Sequence, residues 1–183
     1  ITMDQKILEK FDRKILNNIK LSNYSWFNLG GPAEYFFKPD NKFQLIDFLK
    51  ENKGDKNRKK ITILGAGSNT LIRDNGVRGV VIKLGSGFSK INLLDEKTID
   101  AGAATLDRKI SNYALENGIG NFEFLSCIPG SIGGAVIMNS GCYNNDISKI
   151  LTSINVIDLN DCKEKEIKRE EIKFLYRGTN YQA

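Results

Sequence analysis

Apolar residues at Ile7, Leu8, Phe11, Ile15, Leu16 and Ile19 recur at helical spacing, so residues 1–21 read as one N-terminal amphipathic helix. Glu34 to Lys38 (EYFFK) reads as a strand, and Asp40 is placed to cap a helix carrying Phe43, Leu45, Ile46, Phe48 and Leu49. Apolar runs at Ile61 to Leu64 and Val80 to Leu84 predict two more strands, with short extended segments over Asp95 to Ala103. Thr105 is a good N-cap for a helix through Leu106, Ile110, Tyr113 and Leu115, closed by Asn117-Gly118. Late strands follow at Ile154 to Leu159 and Ile167 to Tyr176, around the charged turn DCKEKE. Strands and helices are mixed without a regular βαβ repeat and without internal repetition, which predicts an α+β fold.

Two glycine-rich stretches interrupt this pattern. LGAGSNTLIRDNG, Leu64 to Gly76, follows a strand and has Gly65 and Gly67 at dinucleotide-loop spacing. Thr70 stands where the third glycine belongs, and Asp74-Asn75-Gly76 signals a turn where a Rossmann helix would run. No Gly-Lys-Ser/Thr follows, so the Walker pattern also fails. What remains is a tight loop whose backbone N–H groups can form an anion nest. The second stretch, EFLSCIPGSIGGAVIMNSGCY over Glu123 to Tyr143, combines small side chains with open backbone. That suits close approach of a flat ring or a phosphate, although on this segment alone a tightly packed turn and short helix within the core is the favoured reading. A long dinucleotide ligand needs both a diphosphate cradle and a place for its reactive ring, which two such loops would supply.

Composition narrows the classes. The chain has 183 residues, 27 Lys and Arg against 22 Asp and Glu, and no histidine, which excludes a histidine-based triad or His-ligated zinc site. Metal binding is not expected. Cys127, Cys142 and Cys162 are odd in number and form no C-x-x-C pair, which fits a reducing compartment. No apolar segment approaches the roughly 20 residues of a membrane span, and the charged N-terminus lacks a signal peptide's apolar region, so the expected location is cytoplasmic. The net charge of +5 suits a multiply anionic small ligand or nucleic acid. The densest basic run, Lys50 to Lys60, has no interleaved aromatics, so it reads as a solvated helix end and loop, with nucleic acid the minority reading.

In order along the chain, Asn23-Tyr24-Ser25-Trp26-Phe27-Asn28-Leu29-Gly30-Gly31-Pro32, Leu64 to Asn69, Ile128 to Ala135, Met138-Asn139-Ser140-Gly141 and Tyr176-Arg177 together resemble the UDP-N-acetylenolpyruvoylglucosamine reductase family. The resemblance runs from about Asn23 onward and rests on all five motifs in order. It implies an FAD-binding lobe of the p-cresol methylhydroxylase/vanillyl-alcohol oxidase type, in two subdomains, here residues 22–86 and 87–183. Gly65, Ala66, Gly67, Ser68 and Asn69 are then the expected cradle for the FAD pyrophosphate. Pro129, Gly130, Ser131, Gly133, Gly134 and Ala135 are the expected wall against the isoalloxazine ring, with Asn139 and Gly141 beside it. Valine at Gly67 or Gly134 is expected to block the approach of that ligand.

The same resemblance implies NADPH as hydride donor to FAD and UDP-N-acetylglucosamine enolpyruvate as substrate, giving UDP-N-acetylmuramate for peptidoglycan. Arg177 is the expected catalytic residue, its guanidinium fork suited to a carboxylate or enolate oxygen; without the resemblance it reads as a strand arginine paired with Glu170 or Glu171. Thr179 stands where the family has serine, and Asn144 where it has glycine. A serine in a G-S-F-F-K-N-P motif and a glutamate near the family's C-terminus have no counterpart before Ala183. The expectation is therefore a chain without its substrate-binding domain, which by itself does not complete turnover. Another oxidoreductase of the same flavoprotein superfamily, a flavin scaffold without activity and a basic nucleic-acid-binding module are the alternative readings; oligomeric state is not legible.

Overall fold

A computed structural model describes residues 2–181. The chain forms two compact units: one holds the chain up to Gly85 together with Ile157–Lys163, the other Ser86–Val156 together with the chain from Glu164 on. The sequence expectation divides the chain after residue 86.

The first unit is built on a four-stranded sheet of β1 (Ile15–Lys20), β2 (Pro32–Phe37), β3 (Ile61–Ile63) and β4 (Val77–Ile82), in the order β1-β2-β4-β3. β1 runs antiparallel to β2, whereas β2 and β3 both run parallel to β4. Helix α2 (Lys42–Gly54) makes the crossover between β2 and β3. The short helix α1 (Gln5–Lys10) precedes the sheet. Phe11, Phe37 and Phe48 interlock with ring centroids 4.4 to 5.7 Å apart, mostly edge to face. Such pairs add about 0.5–1.5 kcal/mol each beyond area burial. A second buried cluster joins Leu21, Ala33, Phe36, Leu64, Ile72 and Val81 and anchors the start of the glycine loop at Leu64.

The single N-terminal helix expected over residues 1–21 is not formed. Asp4 caps α1 by accepting from the Lys6 N–H, Arg13 takes a left-handed φ of 66°, and Ile15 to Lys20 pair with β2 as a strand. Residues four apart share a face in either conformation, so the spacing of Ile15 and Ile19 fits both, and pairing with a buried strand decides. The cap of α2 is Asn41, whose side chain accepts from the Gln44 N–H, and not Asp40, which pairs with Lys14 at 2.5 Å.

The second unit is a set of strand pairs around two helices, α3 (Asp107–Glu116) and α4 (Ile132–Ile137). The pairs are β5 (Ile91–Leu93) with β6 (Ile99–Ala101), β7 (Gly141–Cys142) with β8 (Asn145–Asp146), β9 (Ser153–Ile157) with β10 (Glu164–Lys168), and β11 (Phe174–Leu175) with β12 (Gly178–Thr179). Its core joins Ile110 on α3, Phe124 and Leu125, Ala135 and Val136 on α4, and Ile147. The strand expected over Ile167 to Tyr176 is broken by a 3₁₀ turn at Arg169–Glu171. Thr105 does not cap α3; that position is Leu106, without a side-chain cap bond. Among the described residues no helix is long and apolar enough to cross a membrane, and no cluster of metal-ligating side chains is assembled.

Candidate functional site

In the first unit the loop Gly65 to Asn69 leaves the carboxyl end of β3, and no helix follows it. Gly65 and Asn69 are exposed, Ala66 and Ser68 half-buried, and Gly67 buried. Gly67 adopts φ +74°, and a Cβ there would lie 2.0 Å from the Tyr24 carbonyl oxygen. Its own carbonyl accepts from the Trp26 N–H at 3.0 Å. This glycine is therefore required by contact with the segment Tyr24 to Trp26 of the same unit, and the close approach its missing side chain permits is that of the protein's own backbone. The Lys83 ammonium donates to the Gly65 carbonyl. Burial, with the charge of Lys38 second, lowers the pKa of Lys83. Sequence reading did not single out Lys83, because a lysine directly after a strand carries no local signal.

In the second unit the segment Ile128 to Ser131 pairs with Thr105 to Asp107. Asp107 N–H donates to the Gly130 carbonyl at 3.1 Å, and Ile132 N–H donates to the Thr105 carbonyl at 2.9 Å. This antiparallel bridge, centred on Leu106 and Ser131, ties the turn to the start of α3 and leads into α4. Asp107 lies directly opposite Gly130, and a Cβ on Gly130 would meet its Oδ2 at 2.7 Å. The Asp107 side chain is wholly buried, and neither carboxylate oxygen has a hydrogen-bond partner among the described residues; the Thr105 hydroxyl is likewise unpartnered. Burial alone pushes the Asp107 carboxyl from 3.8 up to about 7. Sequence reading missed Asp107, since an acidic residue in the first turn of a helix is ordinarily exposed and stabilising there.

The glycines of the wall divide by environment. Gly133 is packed, its N–H on the Ala103 carbonyl and a Cβ only 2.9 Å from that oxygen. Gly134 is exposed, and a Cβ on it would meet nothing nearer than the Ser131 hydroxyl at 3.8 Å. Pro129 is exposed, Gly130 half-buried, and Ser131 and Ala135 buried. Asn139 spends both ends of its amide on the fold: Oδ1 accepts from the Ser148 N–H at 3.1 Å, and Nδ2 donates to the Leu175 carbonyl at 3.4 Å. Gly141 begins the β7–β8 hairpin, whose two-residue turn places Tyr143 at φ 51° and Asn144 at φ 62°. Left-handed turn positions accept asparagine almost as readily as glycine, which accounts for Asn144.

Tyr176 and Arg177 form the turn of the β11–β12 hairpin, with Arg177 at φ 59° and its guanidinium 5.7 Å from the Tyr176 ring centroid. Arg177 is exposed and has no ion-pair partner among the described residues, so it is neither within a strand nor paired with Glu170 or Glu171. β12 packs on α4, and the Asn139 bond to Leu175 joins the same hairpin to the end of the wall. The second unit thus gathers Pro129 to Ala135, Asn139, Gly141 and the turn bearing Arg177. What it offers chemically is an exposed glycine face, a rigid backbone turn and one unpaired guanidinium.

Residues 33–167 match the FAD binding domain family. Over 177 residues the chain is 48% identical to UDP-N-acetylenolpyruvoylglucosamine reductase of Pelagibacter ubique, covering 94% of this chain and 57% of that protein. It is 40% identical over 169 residues to the reductase of the same name from Caulobacter, covering 92% of this chain and 54% of that one. The chain spans about half the length of these relatives. Among solved structures it is similar to UDP-N-acetylenolpyruvylglucosamine reductase (MurB) from Thermus caldophilus, with a TM-score of 0.75, 28% identity, and coverage of 91% of this chain and 57% of that chain. Cholesterol oxidase from B. sterolicum shares the fold alone, at a TM-score of 0.63 and 13% identity, over 84% of this chain and 32% of that one. The two-unit α+β architecture is the flavoprotein fold expected from the motifs.

Proposed function

We propose, from the premise that this chain belongs to the FAD binding domain family, that it forms the FAD-binding part of a UDP-N-acetylenolpyruvoylglucosamine reductase acting in peptidoglycan precursor synthesis. The observation that carries the reading is the Ile128–Ala135 segment: a backbone turn pinned by the Thr105–Asp107 bridge and ending in Gly134, whose missing side chain leaves a face open on the protein's exterior. A flat ring system needs such a face, because any larger side chain would hold it off the backbone. FAD fits this donor set, which supplies backbone N–H groups and small side chains in place of metal ligands. Gly65 to Asn69 would hold the pyrophosphate, with the Lys83 ammonium fixed beside that loop by the Gly65 carbonyl.

When bound, the flavin supplies hydride transfer from NADPH to the enolpyruvyl double bond of UDP-N-acetylglucosamine enolpyruvate, yielding UDP-N-acetylmuramate. Around it, the residues of this chain position and stabilise. The bridge to Asp107 keeps Ile128 to Ser131 in one conformation, so the ring meets a surface that does not reorganise. Asn139 locks the end of α4 to the hairpin that presents Arg177. The Arg177 guanidinium, unpaired and exposed, is available as a bidentate donor to the substrate carboxylate as negative charge develops there.

The test mixes FAD-reconstituted protein with NADPH, first without and then with the enolpyruvyl substrate. The reading expects retained flavin and no sustained turnover by this chain alone. Sustained NADPH oxidation coupled to product would show that this chain carries the whole activity, and folded protein that retains no flavin would remove the reading.

A further inference from the structure

A second feature lies at the other end of the first unit's sheet. β2, β3 and β4 run parallel, and the Gly65 to Asn69 loop leaves the carboxyl end of β3. At the amino ends of the same strands Glu34, Arg58, Lys59, Lys60, Arg78 and Gly79 line an open groove of about 580 Å³. Three local devices shape it. β4 bulges: Ala33 pairs with Val77 but Tyr35 pairs with Val80, so Arg78 and Gly79 together face Glu34. Gly79 takes φ +90° with the Lys60 carbonyl 2.3 Å from where a Cβ would lie, a position closed to other residues. The buried Asn52 grips the backbone of Lys59 at both polar atoms, donating to its carbonyl and accepting from its N–H, each at 3.0 Å.

The charge balance is one-sided. Among the described residues Glu34 is the only carboxylate in the lining, and both its oxygens are engaged: Oε1 by Lys59 Nζ at 2.7 Å, and Oε2 by the Gly79 N–H that the bulge frees, at 2.8 Å. These two donors hold the Glu34 carboxyl below its usual range, so it stays charged beside Lys59. Arg58, Lys60 and Arg78 remain, all exposed and without an ion-pair partner among the described residues. Three like charges held around one groove by a bulge and a buried amide repel one another, and a multiply charged anion relieves that repulsion.

We propose that this groove binds a phosphate-bearing small molecule with at least two phosphoryl groups, at a site separate from the glycine loop. Two guanidinium groups match phosphoryl oxygens in fork geometry, and Lys60 supplies a third, movable donor. The volume lies within the range of small-molecule sites, about 300–1,000 Å³. Among the described residues no aromatic side chain lines the groove, which disfavours a nucleic-acid strand, whose bases would have nothing to stack on.

The test is calorimetric titration of inorganic pyrophosphate into the chain loaded with FAD and freed of unbound flavin, with orthophosphate and a single-stranded RNA as competing probes. Pyrophosphate is expected to bind more tightly than orthophosphate. The double variant R58Q/R78Q, checked for folding by circular dichroism, is expected to weaken it by about tenfold or more. E34Q, which keeps the Gly79 contact and removes a negative charge from the lining, is expected to tighten it. Flavin retention should be the same in all three proteins. No binding by folded wild type, equal binding by the double variant, weaker binding by E34Q, or an RNA that binds more tightly than pyrophosphate would each overturn the proposal.

Discussion

Gly67 and Gly134 sit in motifs that look alike on paper and do opposite things. The first is buried, left-handed and pressed against the Tyr24 carbonyl; the second is exposed, helical and faces nothing within ordinary contact except a serine hydroxyl. One glycine is there for the protein's own chain, the other leaves a surface free. A glycine loop is therefore not evidence of a ligand until the space beside each Cα is known, and four substitutions put that distinction under strain.

Gly67→Val should have the largest effect. A left-handed φ and a backbone oxygen 2.0 Å from the new Cβ together predict a loss of about 4 kcal/mol or more, read as a fall in the denaturant midpoint whether or not flavin is added. A valine that leaves the midpoint in place would mean the Tyr24 contact is not structural.

Asp107→Asn should act in the opposite direction and depend on pH. The carboxyl titrates near 7 in the fold against 3.8 as its ordinary value, so the folded state holds the proton more tightly. The parent protein therefore loses stability as pH rises from about 4 to about 7, by on the order of 4 kcal/mol at most, and loses no more above that. The amide stays neutral throughout, so the variant's advantage should be absent at pH 4 and greatest at pH 8. Parallel stability curves for the two proteins would show that the carboxyl is not desolvated.

Gly134→Val should leave stability within about 1 kcal/mol, because its Cβ meets open space, yet weaken FAD binding by at least about tenfold, some 1.4 kcal/mol. Arg177→Gln is the mildest: an exposed turn residue without an ion-pair partner among the described residues should move stability by no more than about 0.5 kcal/mol and leave flavin retention unchanged. A clear loss of flavin in Arg177→Gln would place this guanidinium on the cofactor and not on the substrate.

Much of this arrangement is legible in the residue pattern. The runs that became β2, β3 and β4, the crossover helix α2, and the failure of Leu64 to Gly76 to open a helix all follow from periodicity and turn chemistry. β1 did not, because Ile15 and Ile19 satisfy either period and only the partner strand chooses between them. The cap positions slipped by one residue for a similar reason: Asp40 and Asn41 are both competent, and the Lys14 contact that engages Asp40 is remote in sequence. For the candidate site, the motifs single out the two glycine-rich segments but not the internal division of labour of their glycines. That Asp107 faces Gly130, or that Gly67 faces Tyr24, depends on chain crossings that no local window contains.

The most direct measurement is the visible absorption spectrum of purified wild type and Gly134→Val after addition of FAD and removal of unbound flavin. The account predicts flavin bands retained by wild type and lost or strongly reduced in the variant, with both proteins equally folded. Equal retention by the two, or a colourless but folded wild type, would contradict it.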